Sequence, residues 1–231
     1  IQMSVGVDIG SRTIKIVELS KEGDAWSLKG SGVIGYQGVT PEHIKEEKDL
    51  VPLSQAIKSL YKEANISSRE VNVALPESQV FTRTIKFPPL TDQEIASAVK
   101  WEAEQYIPIP IADAIVQHVV IERKQASTPP EVVVLLVAAP RKLVEAYVKL
   151  FQMSGITVTS VETELVALTR VLSPQGQTVM LLDFGARSTD IAIAKDGLLR
   201  FSRTIPIAGE AFTRAVAQGL GVEYQQAEEY K

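Results

Sequence analysis

No cysteine occurs anywhere in the chain, which excludes disulfides, thiolate metal sites and a cysteine nucleophile. Histidine is almost absent. His43 and His118 stand far apart with no carboxylate pattern around them, so neither a zinc site nor a histidine base is expected. Long apolar runs are missing as well; the strongest, Val132–Ala139, is far shorter than a membrane span. The first residues, IQMSVGVDIG, enter a strand pattern at once, without a basic stretch leading into an apolar one. Any link to a membrane is therefore expected to run through a partner. No G-x-x-x-x-G-K-S/T occurs, which sets aside a P-loop; GSGVIG at Gly30–Gly35 has the G-x-G-x-x-G spacing but lies inside the strand pattern Ala25–Tyr36, not between a strand and a helix, so it is no Rossmann fingerprint. No block of like charge marks a tail, and a net charge of −4 argues against a nucleic-acid partner.

What remains is globular in composition: 231 residues, 45% hydrophobic and 23% charged, enough for one or two domains with a core. The informative feature is an internal repeat. VGVDIGSRTIKIVELSKEG at Val5–Gly23 resembles MLLDFGARSTDIAIAKDG at Met180–Gly197, with Asp8 matching Asp183 and Gly10 matching Gly185 at one offset of 175 residues. Each copy runs from an apolar strand through Asp-x-Gly and small polar residues into a second alternating strand. Two half-domains, each presenting a hairpin tip, are the expected cause.

Along the chain, Met3–Ile9 and Thr13–Ser20 read as strands joined by a Gly10-Ser11-Arg12 tip, with Ala25–Tyr36 a third strand. Thr40-Pro41-Glu42 reads as a helix start, and Leu50–Ala64 as the helix proper, with Leu53, Ile57, Leu60 and Ala64 on one face. Val71–Leu75 is a short buried strand. A section of different character follows. It comprises a strand at Val80–Phe87, a helix opened by the capping box Thr91-Asp92-Gln93-Glu94 and running to Tyr106, and strands at Ala114–Glu122 and Val132–Ala139. A helix over Arg141–Ser154 closes it, ended by Gly155. After a strand at Thr157–Val161, a helix is expected from about Glu162 to Leu172. Then the hairpin recurs, followed by a strand at Leu198–Ile205 and a helix at Glu210–Leu220. Trp26 and Trp101 read as half-buried packing residues, Trp101 packing between subdomains or, as the alternative, anchoring a partner.

The tips carry the chemistry. A carboxylate ending a buried strand, as Asp8 does, needs a metal ion, a water or backbone donors in compensation. Gly10 lets the backbone approach a phosphate closely, Ser11, Arg12 and Thr13 supply donors, and Lys15 reaches as a point charge. In the second copy Asp183 and Gly185 repeat the pattern, with Arg187, Ser188 and Thr189 as donors. Mg²⁺ is commonly held by one or two carboxylates together with waters and phosphate oxygens, a role Asp8 and Asp183 could share. Asp190 or Glu164 could orient an attacking water. One Asp-x-Gly at a hairpin is ordinary turn chemistry. Two matched copies in matched strands point to phosphate.

These hairpins resemble the two phosphate motifs of the actin, Hsp70 and sugar-kinase ATPase superfamily, and ETELVALTRVL at Glu162–Leu172 resembles its first connecting helix. The section inserted in the first half is similar to the 1C subdomain of the cell-division protein FtsA. Together with FPPLTDQEIASAVKWEAEQYIP and LLDFGARSTDIAIAKDGLLRFSRTIPIAGEAFTRAVA, the whole is similar to the PilM family of actin-like type IV pilus assembly proteins. The resemblance implies an α/β actin-like ATPase (ribonuclease H-like) fold with an FtsA-type 1C insertion and an incomplete second half. Residues 1–78 would be subdomain 1A, 79–155 the 1C-like insertion, 156–175 the rest of 1A, and 176–231 part of 2A.

By the same resemblance, ATP and Mg²⁺ are the cofactors. Asp8, Gly10, Ser11, Thr13 and Lys15 would form the first phosphate loop and Asp183, Gly185, Arg187, Ser188 and Thr189 the second. Asp8 and Asp183 would lie near the metal, and Glu164 would position water. The implied role is an adaptor, with weak or no hydrolysis, at the cytoplasmic face of the inner membrane. It would hold the short cytoplasmic N-terminus of a PilN-like membrane protein in a groove between 1A and 1C. Self-association stays open. An FtsA-like division protein that polymerises at the membrane, or a sugar-kinase-type phosphotransferase, are the alternatives. The family's adenosine Gly-Gly pair does not occur before Lys231, so a truncated chain that binds nucleotide poorly but keeps the peptide groove is expected.

Overall fold

A computed structural model describes residues 2–36 and 39–231. Within it the chain divides into two compact units, residues 1–167 and 168–231.

The first unit is built on a five-stranded mixed sheet of order β3-β2-β1-β4-β8. Strands β1 (Gln2–Ile9), β2 (Thr13–Glu22) and β3 (Ala25–Gly35) form an antiparallel meander; β4 (Glu70–Leu75) and β8 (Thr157–Thr163) add in parallel. The alternation that identifies these strands in sequence decides their faces. Val5, Val7, Ile9, Ile14 and Ile16 point to one side and are buried there against Leu53, Ile57 and Leu60 of α1 (Val51–Glu63). Helix α1 comes unusually near β3 because Gly30 and Gly32 lack side chains. A Cβ on Gly30 would stand 2.6 Å from the Ala64 carbonyl oxygen, and one on Gly32 2.8 Å from Leu60 Cδ1.

Beside this contact a carboxylate is buried with no ion-pair partner among the described residues. Glu18 of β2, 1% exposed, accepts from the amides of Ser67 and Ser68 and from the Ser67 hydroxyl at 2.8–3.1 Å. Burial pushes its pKa up, but the Ser68 amide and the two Ser67 donors outweigh burial and hold the carboxyl below its ordinary range. The turn after α1 is thereby tied to the sheet.

The inserted section makes its own three-stranded antiparallel sheet, order β5-β7-β6, from β5 (Phe81–Phe87), β6 (Ala114–Lys124) and β7 (Glu131–Pro140). Helix α2 (Asp92–Tyr106) buries Ile95, Val99 and Ala103 against Val132, Val134 and Leu136, a second core separate from the first. Its capping box forms as expected, Thr91 Oγ1 accepting from the Glu94 amide and Glu94 accepting from the Thr91 amide. Trp101 departs from the half-buried position expected of it: it is 73% exposed. The buried stripe advances in steps of four residues, and Trp101 lies two residues, roughly 200° of helical turn, from Val99. Trp26 is half buried, as expected, on edge strand β3, with the Lys21 ammonium over its ring.

Two further boundaries differ from the sequence reading. Helix α3 (Arg141–Met153) falls in the range 79–155 assigned to the insertion, yet Leu143, Tyr147, Leu150 and Phe151 join the core of the first sheet. And Glu162 is a strand residue opposite Ala74, because β8 runs in parallel with β4 through Thr163; α4 begins at Glu164 and ends at Leu172.

The second unit holds a three-stranded antiparallel sheet, order β11-β10-β9, of β9 (Thr178–Phe184), β10 (Thr189–Lys195) and β11 (Leu198–Ile205). Ala192, Ala194 and Leu199 are buried on one face, while Met180, Leu182, Phe184 and Phe201 are exposed on the other. Helices α5 (Gly209–Leu220) and α6 (Tyr224–Tyr230) follow, the latter with no counterpart in the sequence reading.

Candidate functional site

The two hairpin tips fold alike. In the first, the Gly10 amide donates to the Thr13 carbonyl at 3.0 Å; in the second, the Gly185 amide donates to the Ser188 carbonyl at 3.0 Å. This closes the same two-residue bend at the same 175-residue offset, so the repeat in sequence is a repeat in backbone. A side chain would be crowded at the second bend but not at the first. A Cβ at Gly185 would sit 3.0 Å from the Ser188 oxygen and one at Gly10 3.4 Å from the Thr13 oxygen.

Strand pairing then separates the copies electrostatically. Asp8 lies opposite Lys15, and Lys15 Nζ donates to Asp8 Oδ2 at 2.8 Å. The other oxygen, Asp8 Oδ1, is buried and has no hydrogen-bond partner among the described residues. In the second hairpin Asp183 lies opposite Asp190, so an acid stands where the first copy has its lysine. Asp190 accepts from Thr204 and, at 3.4 Å, from Ser188. Burial pushes its pKa up; the Thr204 hydroxyl opposes this and the Asp183 charge adds to it, and the net direction is upward. The Thr189 hydroxyl donates to the Ile207 carbonyl at 2.7 Å.

Other groups gather at the first tip. The Tyr36 hydroxyl donates to the Gly10 carbonyl at 2.8 Å and fixes the tip to the end of β3. Tyr147 of α3 is wholly buried, and its hydroxyl has no hydrogen-bond partner among the described residues. Burial first, then the charges of Glu42, Glu164 and Asp8, raise its pKa well above the ordinary phenol range. Asp8 and Glu164, picked separately from the sequence, therefore share one electrostatic neighbourhood. Glu42 and Tyr147 belong to it too, and sequence hid both: Glu42 read as part of a helix start, and no motif marked Tyr147.

The second tip is joined to α5 through the main chain. The Gly209 amide donates to the Gly185 carbonyl at 3.1 Å and the Glu210 amide to the Ala186 carbonyl at 2.8 Å. Arg187 leans the same way, its Nε 3.3 Å from Glu210 Oε1.

Among the described residues no three acidic or histidine side chains gather closely enough to hold a metal alone. Mg²⁺ bound through one or two carboxylates, waters and phosphates does not need such a group, and the orphaned Asp8 oxygen suits it. Elsewhere in the first unit a cavity of about 500 Å³ is lined by Ile44, Leu50, Val144 and Val148, with Glu47 and Lys149 paired at 3.1 Å among its lining. No helix among the described residues is long and apolar enough to cross a membrane.

The family model described as type IV pilus assembly protein PilM matches residues 6–231. The chain belongs to the PilM family. A solved structure described as a PilM–PilN type IV pilus biogenesis complex is similar over 99% of this chain and 68% of that chain, with 26% identity and a TM-score of 0.79. The ethanolamine utilization protein EutJ from Carboxydothermus hydrogenoformans shares the fold, with a TM-score of 0.60 at 15% identity over 99% of this chain and 61% of that one. The cell division protein FtsA of Bacillus subtilis is 23% identical over 259 residues, which cover all of this chain and 57% of that relative. This PilM-family chain thus spans little more than half the length of the FtsA relatives it matches. The α/β actin-like fold expected from the tips is the one the family carries.

Proposed function

We propose that this PilM-family protein is an ATP-binding adaptor of a type IV pilus machine. On this reading it docks at the cytoplasmic face of the inner membrane by holding the N-terminal peptide of a PilN-like partner. The match of residues 6–231 to the family carries the reading, and the similarity to one partner of a PilM–PilN complex supports it.

In this proposal the tips are phosphate-binding elements. Gly10 and Gly185 keep the bends free of side chains, Ser11, Arg12, Thr13 and Lys15 offer donors at one tip, and Arg187 with Ser188 and Thr189 does so at the other. Asp8 and Asp183 are the carboxylates that each tip would offer to Mg²⁺ through water, the ion offsetting phosphate charge, and Glu164 would orient water near Asp8. The peptide seat we favour is the cavity between residues 44–50 and α3, whose apolar lining and charged rim suit a short amphipathic segment.

Calorimetry on the intact protein tests both halves. Asp8→Ala with Asp183→Ala is expected to weaken MgATP binding at least about tenfold, the loss of contacts to charged groups. Val148→Glu is expected to abolish binding of a peptide copying the partner's N-terminus while leaving ATP unaffected. Unchanged isotherms for both variants would overturn the respective assignments.

A further inference from the structure

The second tip has one basic side chain in the stretch Asp183–Asp190, Arg187. Around it stand carboxylates: Asp183 and Asp190 face each other across β9 and β10, and Glu210 opens α5. The first tip, by contrast, carries both Arg12 and a lysine paired to Asp8. Arg187 is the cation that the tip itself offers to an anion; Arg214 stands by Glu210, and the Lys231 ammonium donates to the Gly209 carbonyl and pairs with Glu228.

How Arg187 is held decides what it can do. Glu210 engages its Nε at 3.3 Å, the nitrogen on the inner edge of the guanidinium. No partner among the described residues engages the two terminal nitrogens, and the side chain is 60% exposed. A guanidinium held by Nε keeps its terminal fork for a second acceptor, and a fork of parallel N–H donors matches two oxygens of one phosphate. Glu210 is itself fixed. Its amide donates to the Ala186 carbonyl at 2.8 Å, next to Arg187, and its second oxygen stands 3.7 Å from Arg214. Both ends of the Arg187–Glu210 pair therefore spring from backbone joined by hydrogen bonds, which fixes their separation.

The geometry points to Glu210 as the positioning residue that aims Arg187 for bidentate contact with a phosphate of the bound nucleotide. This rests on the ATP-binding reading and adds to it a residue, a mode of contact and a division of labour. Arg187 touches phosphate; Glu210 acts only through Arg187.

The test is calorimetric titration of the intact protein with ATP, ADP and adenosine, each in the presence of Mg²⁺, with thermal melting as the control for folding. Arg187→Ala is expected to weaken ATP and ADP about tenfold or more and adenosine not at all. Arg187→Lys should recover little of that loss, since an ammonium lacks the fork. Glu210→Gln, which keeps an acceptor for Nε, should bind nearly as the parent does, whereas Glu210→Ala should lose severalfold for ATP and ADP alone. Full rescue by Arg187→Lys, equal losses for all three ligands, or an unaltered Glu210→Ala would overturn the inference. No binding of ATP by the parent protein would instead overturn the nucleotide reading beneath it.

Discussion

Lys15 donates to Asp8 across the first hairpin at 2.8 Å, and the pair lies at the surface, the two side chains 55% and 31% exposed. Exposed pairs of this kind contribute about 0–1 kcal/mol to stability. Lys15→Gln is therefore expected to leave the thermal unfolding midpoint almost unmoved while weakening MgATP by several-fold. A large fall in midpoint with unchanged ATP affinity would show the pair to be structural instead.

Gly30→Ala is expected to destabilise the first unit by about 1–3 kcal/mol, the usual penalty for forcing atoms into a packed contact. The new methyl would meet the Ala64 carbonyl at 2.6 Å. Gly6→Ala has nothing within 4 Å and is the matched control, expected to be neutral or slightly stabilising. Urea midpoints of the two variants should separate; equal midpoints would contradict the packing described for α1 on β3.

The acid limb of stability should depend on Glu18. Its folded pKa lies below its unfolded value near 4.5, so the stability it contributes is fully present above that pH and is lost as pH falls through the folded value. Glu18→Gln should cost about 1.5–3 kcal/mol at neutral pH, the scale for hydrogen bonds to a charged group. The gap from the parent should narrow below pH 4.5. Denaturant titrations at pH 7 and at successively lower pH read this directly, and a constant gap would refute it.

Trp101→Ala should change stability by less than about 0.5 kcal/mol, as expected for a surface side chain. Ile95→Ala on the same helix, emptying a site that is 0% exposed, should cost about 2–5 kcal/mol. Reversed magnitudes in equilibrium unfolding would mean that the inserted section packs on the other face of α2.

The sequence made most of this legible where a local rule acts alone. The paired hairpins follow from alternation around an Asp-x-Gly bend, and the start of α2 follows from Thr91 and Glu94. Legibility failed where tertiary partners choose between local options. Thr40-Pro41-Glu42 has the composition of a helix start, but Thr40 Oγ1 bonds His43 Nδ1 at 3.0 Å and the chain makes only a single 3-10 turn, Pro41–His43. Helix α1 runs Val51–Glu63, with Pro52 in its first turn, within a residue at each end of the helix expected over Leu50–Ala64. Glu162 was drawn into β8 by a neighbouring strand far away in sequence. Of the candidate site, the tips were visible as a repeat. The acid-ringed Tyr147 hydroxyl and the Glu210–Arg187 contact were not, because each joins residues whose spacing follows no motif.

Two backbone hydrogen bonds join the second tip to α5, from the amides of Gly209 and Glu210 to the carbonyls of Gly185 and Ala186. The side chain at 186 takes no part in them, and Arg187 adds its contact to Glu210 beside them. Both positions can be rewritten, by drift or by an engineer choosing a new anion preference, without breaking either backbone bond. Position 185 has no such freedom, since any side chain there would press on the Ser188 oxygen. The tip is thus a socket of fixed shape with exchangeable contacts.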